Sequence, residues 1–439
     1  MVSSRKSKPS LKADLQATNR IALALSGGLD SVVLLDTVCK SVQASITSKQ
    51  STEVWVFHIH HGLQKQADQW LVFCEKLAKK YHAHFDFRLL HFADKAQGNI
   101  EARARVERYE ALTELCIEHG VEDLLLAHHQ NDQAETILLQ LLRGSGVAGL
   151  SSMPLRRSNS KEGHSISLWR PLLNQSKVEL EAYAKKYKLN WIEDPSNQNT
   201  RYRRNAIRKQ IIPNLEKIQP GAIANLARSA DLLAQSQVLL DRLAKQDGKN
   251  ILRGKTLVLT PLLALTKADK PAANNLIRYW LRLNELAMPS QERLESWWKD
   301  LVAVKQDSCL EWQHDEHRIR LWRGVLQVAL PQTGRWIFKE ISPRSQLLGL
   351  PSAWVSEAEQ RGLIEQRERQ GAEKIQIKPR GPRKTLKNLF QESGTPPWER
   401  LATLLYINDE LIAVAGVGVS YPHLVSTGKR VLPQWADEP

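Results

Sequence analysis

The first half of the chain alternates two kinds of apolar pattern. Short runs at 21–25, 53–59, 84–92 and 123–128 are rich in β-branched, leucine and aromatic residues and are apolar on both sides. Between them, apolar positions recur at helical spacing over about 31–44, 64–82, 100–119 and 132–143. Strands that are apolar on both faces need covering on both faces. Repeated strand–helix units therefore predict an α/β domain with a parallel, doubly wound sheet. Ligands of such sheets sit beyond the carboxyl ends of the strands. The runs 167–173 and 190–195 are expected to close this sheet.

The pattern changes after residue 200. A long helical stretch is predicted over 201–249, with Pro213 and Pro220 as breakers. The region 250–330 reads as mixed, with amphipathic helices at 262–284 and 291–302 and a hairpin within 310–330. The region 355–435 reads as α+β and ends in the alternating run 411–419. The boundaries expected are a first domain over 1–215, a helical linker over 216–248, a middle domain over 249–335 and a small C-terminal domain over 355–435.

Charge adds a partner class. The 439 residues hold 62 Lys+Arg against 47 Asp+Glu, a net charge of +15, which favours a polyanion such as nucleic acid. Plain solubility charge is the bland alternative. Cys39, Cys74, Cys116 and Cys309 are far apart, with no C-x-x-C spacing, so neither a zinc knuckle nor a redox dithiol is suggested. So few cysteines fit a reducing, cytoplasmic setting. The basic N-terminus has no apolar run behind it, and no segment reaches the length of a membrane span.

Ser26-Gly27-Gly28-Leu29-Asp30-Ser31 follows the first strand and opens a helix. Two glycines let the backbone turn sharply and approach a phosphate. The amides of the helix start then point at the anion. No lysine is present, so this is not the G-x-x-x-x-G-K-[ST] loop. A tight turn capped by Asp30 or Ser31 is the competing reading. The hexapeptide resembles the pyrophosphate loop of the PP-loop ATPases, or N-type ATP pyrophosphatases. That resemblance implies an adenine nucleotide alpha hydrolase-like fold, ATP and Mg²⁺, and cleavage of ATP to AMP and pyrophosphate. Asparagine synthetases need a nucleophilic cysteine where residue 2 is Val, and no cysteine has a glutaminase or thiolase setting.

Four further segments resemble the lysidine synthase family: 58–63 (HIHHGL), 99–109 (NIEARARVERY), 127–136 (AHHQNDQAET) with 142–146 (LRGSG), and 192–197 (IEDPSN) with 203–208 (RRNAIR). With the C-terminal segment, the resemblance covers most of the chain. It implies ligation of free lysine to C2 of the wobble cytidine in the CAU anticodon of an isoleucine tRNA, after ATP adenylates the base. Catalysis then falls to 1–215, substrate binding to 249–335 and tRNA binding to 355–435. A tRNA thiolase and a non-catalytic RNA-binding protein remain open as other readings. No protein partner is predicted.

The expected site follows. Ser26, Gly27, Gly28, Leu29, Asp30 and Ser31 hold the nucleotide, and His60, with His61 beside it, is a candidate contact. Asp30 beside phosphates suits Mg²⁺ or the amine substrate. Asp132 and Glu135 share a helix face and suit Mg²⁺ and the lysine ammonium, although D-x-x-E is itself a capping box with Asp132 as N-cap. The metal candidates are Asp30 and Asp132; a His128, His129, Asp132 metal site is a weaker alternative. Arg105 and Arg108 suit the lysine carboxylate or a phosphate. Catalysis is expected from Asp30, Asp132, Glu135, Arg105 and Arg108. The loop at Arg143–Gly146 is either an anion nest or a helix C-cap. For tRNA phosphates the candidates are Arg201, Arg204, Asn205 and Arg208, read as one basic helix face, with Arg203 beside them, and Lys378, Arg380, Arg383, Lys384 and Lys387 on an extended, proline-bounded segment. Trp297-Trp298 suit either base stacking or a core.

Overall fold

Alternation decides the centre of the first sheet. Along β1 (Arg20–Ala24) and the residue after it, Ile21, Leu23 and Leu25 face one apolar core while Ala22 faces another. The computed structural model describes residues 20–44, 52–60, 67–90, 100–161, 163–304, 309–329, 334–342, 345–396, 398, 400 and 403–437. The chain divides into two units, 1–240 and 241–439.

In the first unit, β1 is followed by α1 (Leu29–Gln43), β2 (Glu53–His60), α2 (Ala67–Lys80), β3 (His84–Leu89), α3 (Ile100–Glu118), β4 (Asp123–Leu125), α4 (Gln130–Leu142) and α5 (Val147–Leu150). Then come β5 (Arg156–Lys161), β6 (His164–Trp169) and α6 (Lys177–Lys186). The strand order is β3-β2-β1-β4-β6-β5. Helices α1, α2 and α6 cover one face, and α3 covers the other. The sheet is doubly wound as expected, but it is parallel only through β6. Strand β5 pairs antiparallel with β6 at the edge. The expected strand at 167–173 is shifted to β6, and 190–195 forms no strand. The chain moves outward from β1 through β2 to β3, then returns to lay β4 on the other side of β1. This reversal opens a crevice at the carboxyl ends of β1 and β4.

Helix α1 is held hard against the sheet. It buries Val32, Val33, Leu34, Leu35 and Val38, each contributing about 1.5–3 kcal/mol. Its one buried carboxylate, Asp36, accepts from Tyr81 and Tyr183 hydroxyls at 2.7 Å each and from Lys40 Nζ at 2.8 Å. Burial pushes the Asp36 carboxyl up, but hydrogen bonds from Lys40, Tyr183 and Tyr81 outweigh it and hold the group below its ordinary value. A depressed folded value means stability that is present above the unfolded value and lost as pH falls through the folded one. Asp36→Asn is therefore expected to lower unfolding free energy by about 2 kcal/mol at pH 7. In denaturant titrations the gap from the unsubstituted chain should close as pH drops below about 4.

After α6, a 3₁₀ turn (Pro195–Gln198) leads to α7 (Arg203–Ala206), a π turn (Ile207–Ile211), α8 (Ile212–Ile218) and the long α9 (Ala222–Asp247). Pro213 has no N–H to give, and the backbone just before it widens into the π turn. This segment packs on α4 through Ala134, Ile207 and Ile212.

The second unit opens with β7 (Leu252–Arg253), β8 (Thr256–Val258), α10 (Leu259–Ala268), α11 (Lys270–Leu283) and α12 (Gln291–Ala303). The expected helix at 262–284 is two helices, because Asp269 caps a new start and Pro271 sits in its first turn. Strands β9 (Leu310–His314), β10 (His317–Trp322) and β11 (Val325–Val328) form a meander rather than a simple hairpin, in the order β7-β8-β11-β10-β9. Trp280, Trp297 and Trp298 are buried in this core, so the Trp297-Trp298 pair is packing rather than a stacking surface. The remainder comprises β12 (Gly334–Ile341), β13 (Leu350–Pro351), α13 (Ser352–Gln360), β14 (Ile364–Arg367), β15 (Lys374–Ile375), β16 (Lys384–Thr385) and α14 (Leu386–Glu392). It ends with β17 (Leu404–Ile407), β18 (Glu410–Val414), β19 (Gly418–Val419) and β20 (Arg430–Asp437), the α+β region expected. Among the described residues no helix is long and apolar enough to cross a membrane.

Candidate active site

Adjacent strands deliver the two halves of the site. β1 ends in Ser26–Ser31, and β4 leads into residues 126–135. Gly27 has φ +84°, and a Cβ there would lie 3.2 Å from Ile192 Cδ1 and 3.3 Å from Cys74 Sγ. Ile192 N–H donates to Gly27 O at 2.9 Å, so 190–195 braces the loop instead of adding a strand. Gly28 is the N-cap of α1, and among the described residues no side chain caps that helix. Ser31 Oγ donates to Gly28 O at 2.9 Å and lies 3.2 Å from Ser26 Oγ. The turn is therefore not the one capped by Asp30 or Ser31. The first-turn amides of Leu29, Asp30 and Ser31 have no carbonyl one turn back to bond. They present an anion site backed by the helix dipole.

This geometry separates the two glycines. Gly27→Ala is expected to distort the loop and lower Tm by several degrees, because both φ and space oppose a side chain. At Gly28 the nearest atom to a Cβ, Ser26 Oγ, is 3.6 Å away. Gly28→Ala should leave Tm within about 2 °C while raising the KM for ATP roughly tenfold, a loss of ~1.4 kcal/mol in phosphate approach. Equal ATP kinetics for Gly28→Ala and the unsubstituted chain would exclude phosphate binding at that residue.

Asp30 lies in the first turn of α1. Its Oδ1 is buried and has no partner among the described residues. Its Oδ2 is 3.6 Å from His129 Nε2. His129 is the N-cap of α4: Nδ1 accepts from Asn131 N at 3.2 Å, and Asp132 Oδ2 accepts from His129 N at 2.9 Å. Because Nδ1 accepts, the ring proton sits on Nε2, facing Asp30 and, at 3.5 Å, Asp132 Oδ2. The capping box is thus His129 with Asp132, not Asp132 with Glu135. Glu135 is in the next turn and fully buried.

The two carboxylates of α4 are held by guanidiniums. Arg204 Nε donates to Glu135 Oε2 at 2.7 Å and Nη2 to Asp132 Oδ1 at 2.8 Å. Arg208 Nε and Nη2 donate to Glu135 at 2.5 and 3.0 Å. Arg204 and Arg208 therefore do not lie on one solvated basic face with Arg201 and Asn205, as their spacing suggested. The ionic contact turns them inward. Arg201 and Arg203 stay exposed, and Asn205 Nδ2 donates to Asn199 O at 2.9 Å. Burial pushes the Asp132 carboxyl up, but the charges of His129 and Arg204 hold it below its ordinary value. Asp30, His129, Asn131, Glu135, Lys177 and Arg208 line a cleft of about 80 Å³.

Asp30 Oδ1 fits a Mg²⁺: an anionic oxygen with no partner among the described residues, beside a phosphate loop. Mg²⁺ commonly takes one or two carboxylates and completes its shell with phosphate oxygens and water. Asp132 fits less well, since its oxygens are committed to His129 and Arg204. Burial pushes the His128 imidazole down to about 3, so the ring stays neutral. Among the described residues, the group tight enough to share a cation is Asp86, Glu118 and His119, and Arg88 already pairs with both of its carboxylates.

A second basic group adjoins the first. The guanidinium carbons of Arg105 and Arg108 lie 5.3 and 5.6 Å from the Tyr109 ring. Burial and the neighbouring charges of Arg105 and Arg204 lower Arg108, and burial lowers Arg170. Tyr109 Oη, Arg170 Nε and His128 Nδ1 are buried without partners among the described residues. The arrangement suits an anion. Reading the sequence missed Asn131, Lys177 and Arg170 as parts of this centre and offered His129 only in a weaker metal set with His128 and Asp132. The signal for His129 was its place three residues before Asp132.

His60 is buried with Nε2 3.1 Å from Asp68 Oδ1, and His58 Nδ1 is 2.8 Å from Leu25 O. His61, Gly62, Leu63 and Asn99 lie outside the described residues. Gly144, at φ +69°, belongs to an ordinary C-cap, with Ser145 N–H donating to Gln140 O at 3.0 Å. Lys378, Arg380, Arg383 and Lys387 are exposed, whereas Lys384 pairs with Glu392 at 2.7 Å.

Residues 2–215 match the PP-loop domain, residues 261–327 the TilS substrate binding domain and residues 364–433 the TilS substrate C-terminal domain. The chain is 35% identical to the tRNA(Ile)-lysidine synthase of Burkholderia pseudomallei (strain K96243), over 91% of this chain and 89% of that protein. It is 36% identical to that of Serratia proteamaculans (strain 568), over 93% and 94%. It is 33% identical to that of Nitrosomonas europaea, over 96% and 93%. Among solved structures, the U34-tRNA thiolase NcsA from Methanococcus maripaludis covers 51% of this chain and 77% of its own at 18% identity and a TM-score of 0.42, too distant to carry an argument. On the sequence relatives, the chain belongs to the tRNA(Ile)-lysidine synthase family.

Proposed function

We propose that this chain is an ATP-dependent ligase that joins free lysine to C2 of the wobble cytidine in the CAU anticodon of an isoleucine tRNA, in the cytoplasm. One observation carries the reading: a glycine turn with no side-chain cap and an aspartate oxygen with no partner, both among the described residues, stand together in a family whose curated members are named for this modification.

In this reading the amides after Gly28 and the hydroxyls of Ser26 and Ser31 hold the phosphates of ATP. The cytidine O2 attacks the α-phosphorus, and pyrophosphate leaves against those donors. Asp30 would hold a Mg²⁺, which would supply neutralisation of phosphate charge there. Asp132 and Glu135 attract the lysine ammonium, which exchanges for part of the guanidinium pairing and keeps the group neutral. The amine must shed a proton, which Asp132, Glu135 or Asp30 takes, before its nitrogen forms a bond to C2. The C2–O bond then breaks, and O2 departs with AMP. Arg105 and Arg108 hold the lysine carboxylate or a tRNA phosphate. His60, already engaged with Asp68, is the further candidate contact to the nucleotide. Residues 1–215 form the catalytic domain and 216–248 the linker. Residues 249–335 and 355–435 hold the tRNA, with Lys378, Arg380, Arg383 and Lys387 on its phosphates and Arg201 and Arg203 on the anticodon arm.

Incubation with tRNA, ATP and labelled lysine tests the reading. Label is expected in tRNA only when ATP is present. ATP consumption that requires a sulfur donor would favour thiolation, and tight tRNA binding without turnover would favour a binding module.

A further inference from the structure

The outermost strand of the first sheet brings charge to the same edge as the cleft. β5 runs antiparallel to β6, so its first residues, Arg156 and Arg157, stand beside the last of β6, Trp169 and Leu168. They therefore sit at the carboxyl edge of β1, β4 and β6, where the cleft opens. Alternation sends the two arginines to opposite faces. Arg156 covers the Trp169 ring at 4.2 Å and pairs with Asp123 at 3.0 Å. Arg157 shares the other face with Asn159 and Lys161, and both of these reach α3. Asn159 Nδ2 donates to Thr113 Oγ1 at 3.0 Å, and Lys161 Nζ donates to Glu114 Oε1 at 2.9 Å. Arg157 continues that face toward the earlier turns of α3, which carry Tyr109, Arg108 and Arg105.

What it meets there is positive. Arg170, the residue after β6, is buried and donates from Nη1 to Pro154 O at 2.8 Å. Burial lowers Arg170, Tyr109 opposes the shift, and the charges of Arg157 and Arg105 add to it. Arg105, Arg108, Arg157 and Arg170 thus gather at one edge, and among the described residues none has a carboxylate partner. Arg204 and Arg208, by contrast, share Asp132 and Glu135. Like charges held together disfavour the folded chain until an anion joins them. An amino acid's carboxylate supplies a single charge, at the buried end. Arg105 and Arg157 are exposed. β5 lies three strands from β1, about 14 Å away, beyond the span of a triphosphate seated on the glycine turn. A chain of phosphates supplies both the further charge and the reach.

We infer that Arg157, together with Arg105, binds a backbone phosphate of the anticodon loop while the cytidine occupies the cleft. The assignment rests on the tRNA reading given above. The test is the Kd of the full chain for a tRNA(Ile) transcript with the CAU anticodon, titrated over several salt concentrations, beside the KM for lysine. The proteins compared are the unsubstituted chain, Arg157→Ala, Arg157→Lys and Lys161→Ala. Arg157→Ala is expected to raise Kd about tenfold, the loss of one charged hydrogen bond. It should also flatten the dependence of log Kd on log salt by about 1. Its KM for lysine should stay within about twofold, since the amino acid binds elsewhere in the cleft. Arg157→Lys keeps the charge and should recover most of the affinity and of the salt dependence. Lys161, already paired with Glu114, is the control, and Lys161→Ala should match the unsubstituted chain. Unchanged Kd and salt dependence in Arg157→Ala, or an equal loss in Lys161→Ala, overturns the assignment and leaves the catalytic reading standing. A raised KM for lysine with tRNA affinity intact also overturns it and gives these charges to the amino acid. Failure of the unsubstituted chain to bind the transcript overturns the tRNA reading and this assignment together.

Discussion

Asp30→Asn should abolish lysine transfer, lowering kcat/KM by at least ~10³-fold, about 4 kcal/mol of transition-state stabilisation. The same change should leave Tm unaltered or slightly raised. The reason lies in the oxygen that has no partner among the described residues. Asp30 Oδ1 is buried, and its neighbour Oδ2 reaches His129 Nε2 only at 3.6 Å. A carboxylate so placed contributes little to folding, because its desolvation is not matched by close pairing. Substitution by the neutral amide relieves that penalty and removes the charge that a phosphate-bridging cation needs. A residue whose replacement spares stability and destroys turnover is serving the ligand. Two measurements check this: initial rates with labelled lysine, and melting curves with and without ATP and Mg²⁺. The unsubstituted chain should gain stability from the pair of ligands. Asp30→Asn should gain less, and a large fall in its Tm without ligands would show a structural role instead.

How much of this could be read from the residues alone depends on sequence distance. The strands of the first sheet are legible because short β-branched runs bounded by polar turns have few other uses. Strand β5 is not legible: Arg156–Lys161 carries polar side chains throughout, as an edge strand can, so no apolar alternation marks it. The split between α10 and α11 was in plain sight, since Asp269 followed by Pro271 is a helix start. The phosphate loop was legible because glycines, serines and a strand–helix junction are contiguous. The pairing of Glu135 with Arg204 and Arg208 was not, because it joins residues 69 and 73 positions apart. Spacing within 201–209 reports only which residues share a helical face; it says nothing of what that face meets. The same limit hid the approach of His129 to Asp30, which follows another strand.

Glu135→Ala is the substitution expected to harm both stability and activity, and its stability effect is the largest of those considered. Glu135 is fully buried and accepts three hydrogen bonds from two guanidiniums. Removing it leaves Arg204 with Asp132 alone and Arg208 with a contact of 3.8 Å. Breaking a buried pair by deleting one partner costs about 3–5 kcal/mol, since the surviving charge is left uncompensated. The segment Arg203–Ile218 docks on α4 through this pairing and through Ala134, Ile207 and Ile212, so loss of the ionic half should also loosen the cleft. Stability alone would not separate a scaffold from a reacting group. Replacing Glu135→Leu together with Arg204→Met and Arg208→Leu exchanges most of the buried charge for apolar volume and, with Asp132 losing Arg204 and keeping His129, is expected to recover part of the loss. Lysine transfer should nevertheless stay at least ~10²-fold down, because no carboxylate then remains at that position to receive the ammonium. Denaturant unfolding of the single and triple variants gives the first comparison, and rates at saturating ATP give the second. Recovery of both stability and turnover in the triple variant would reduce Glu135 to a structural anchor and move the amine-binding role to Asp30.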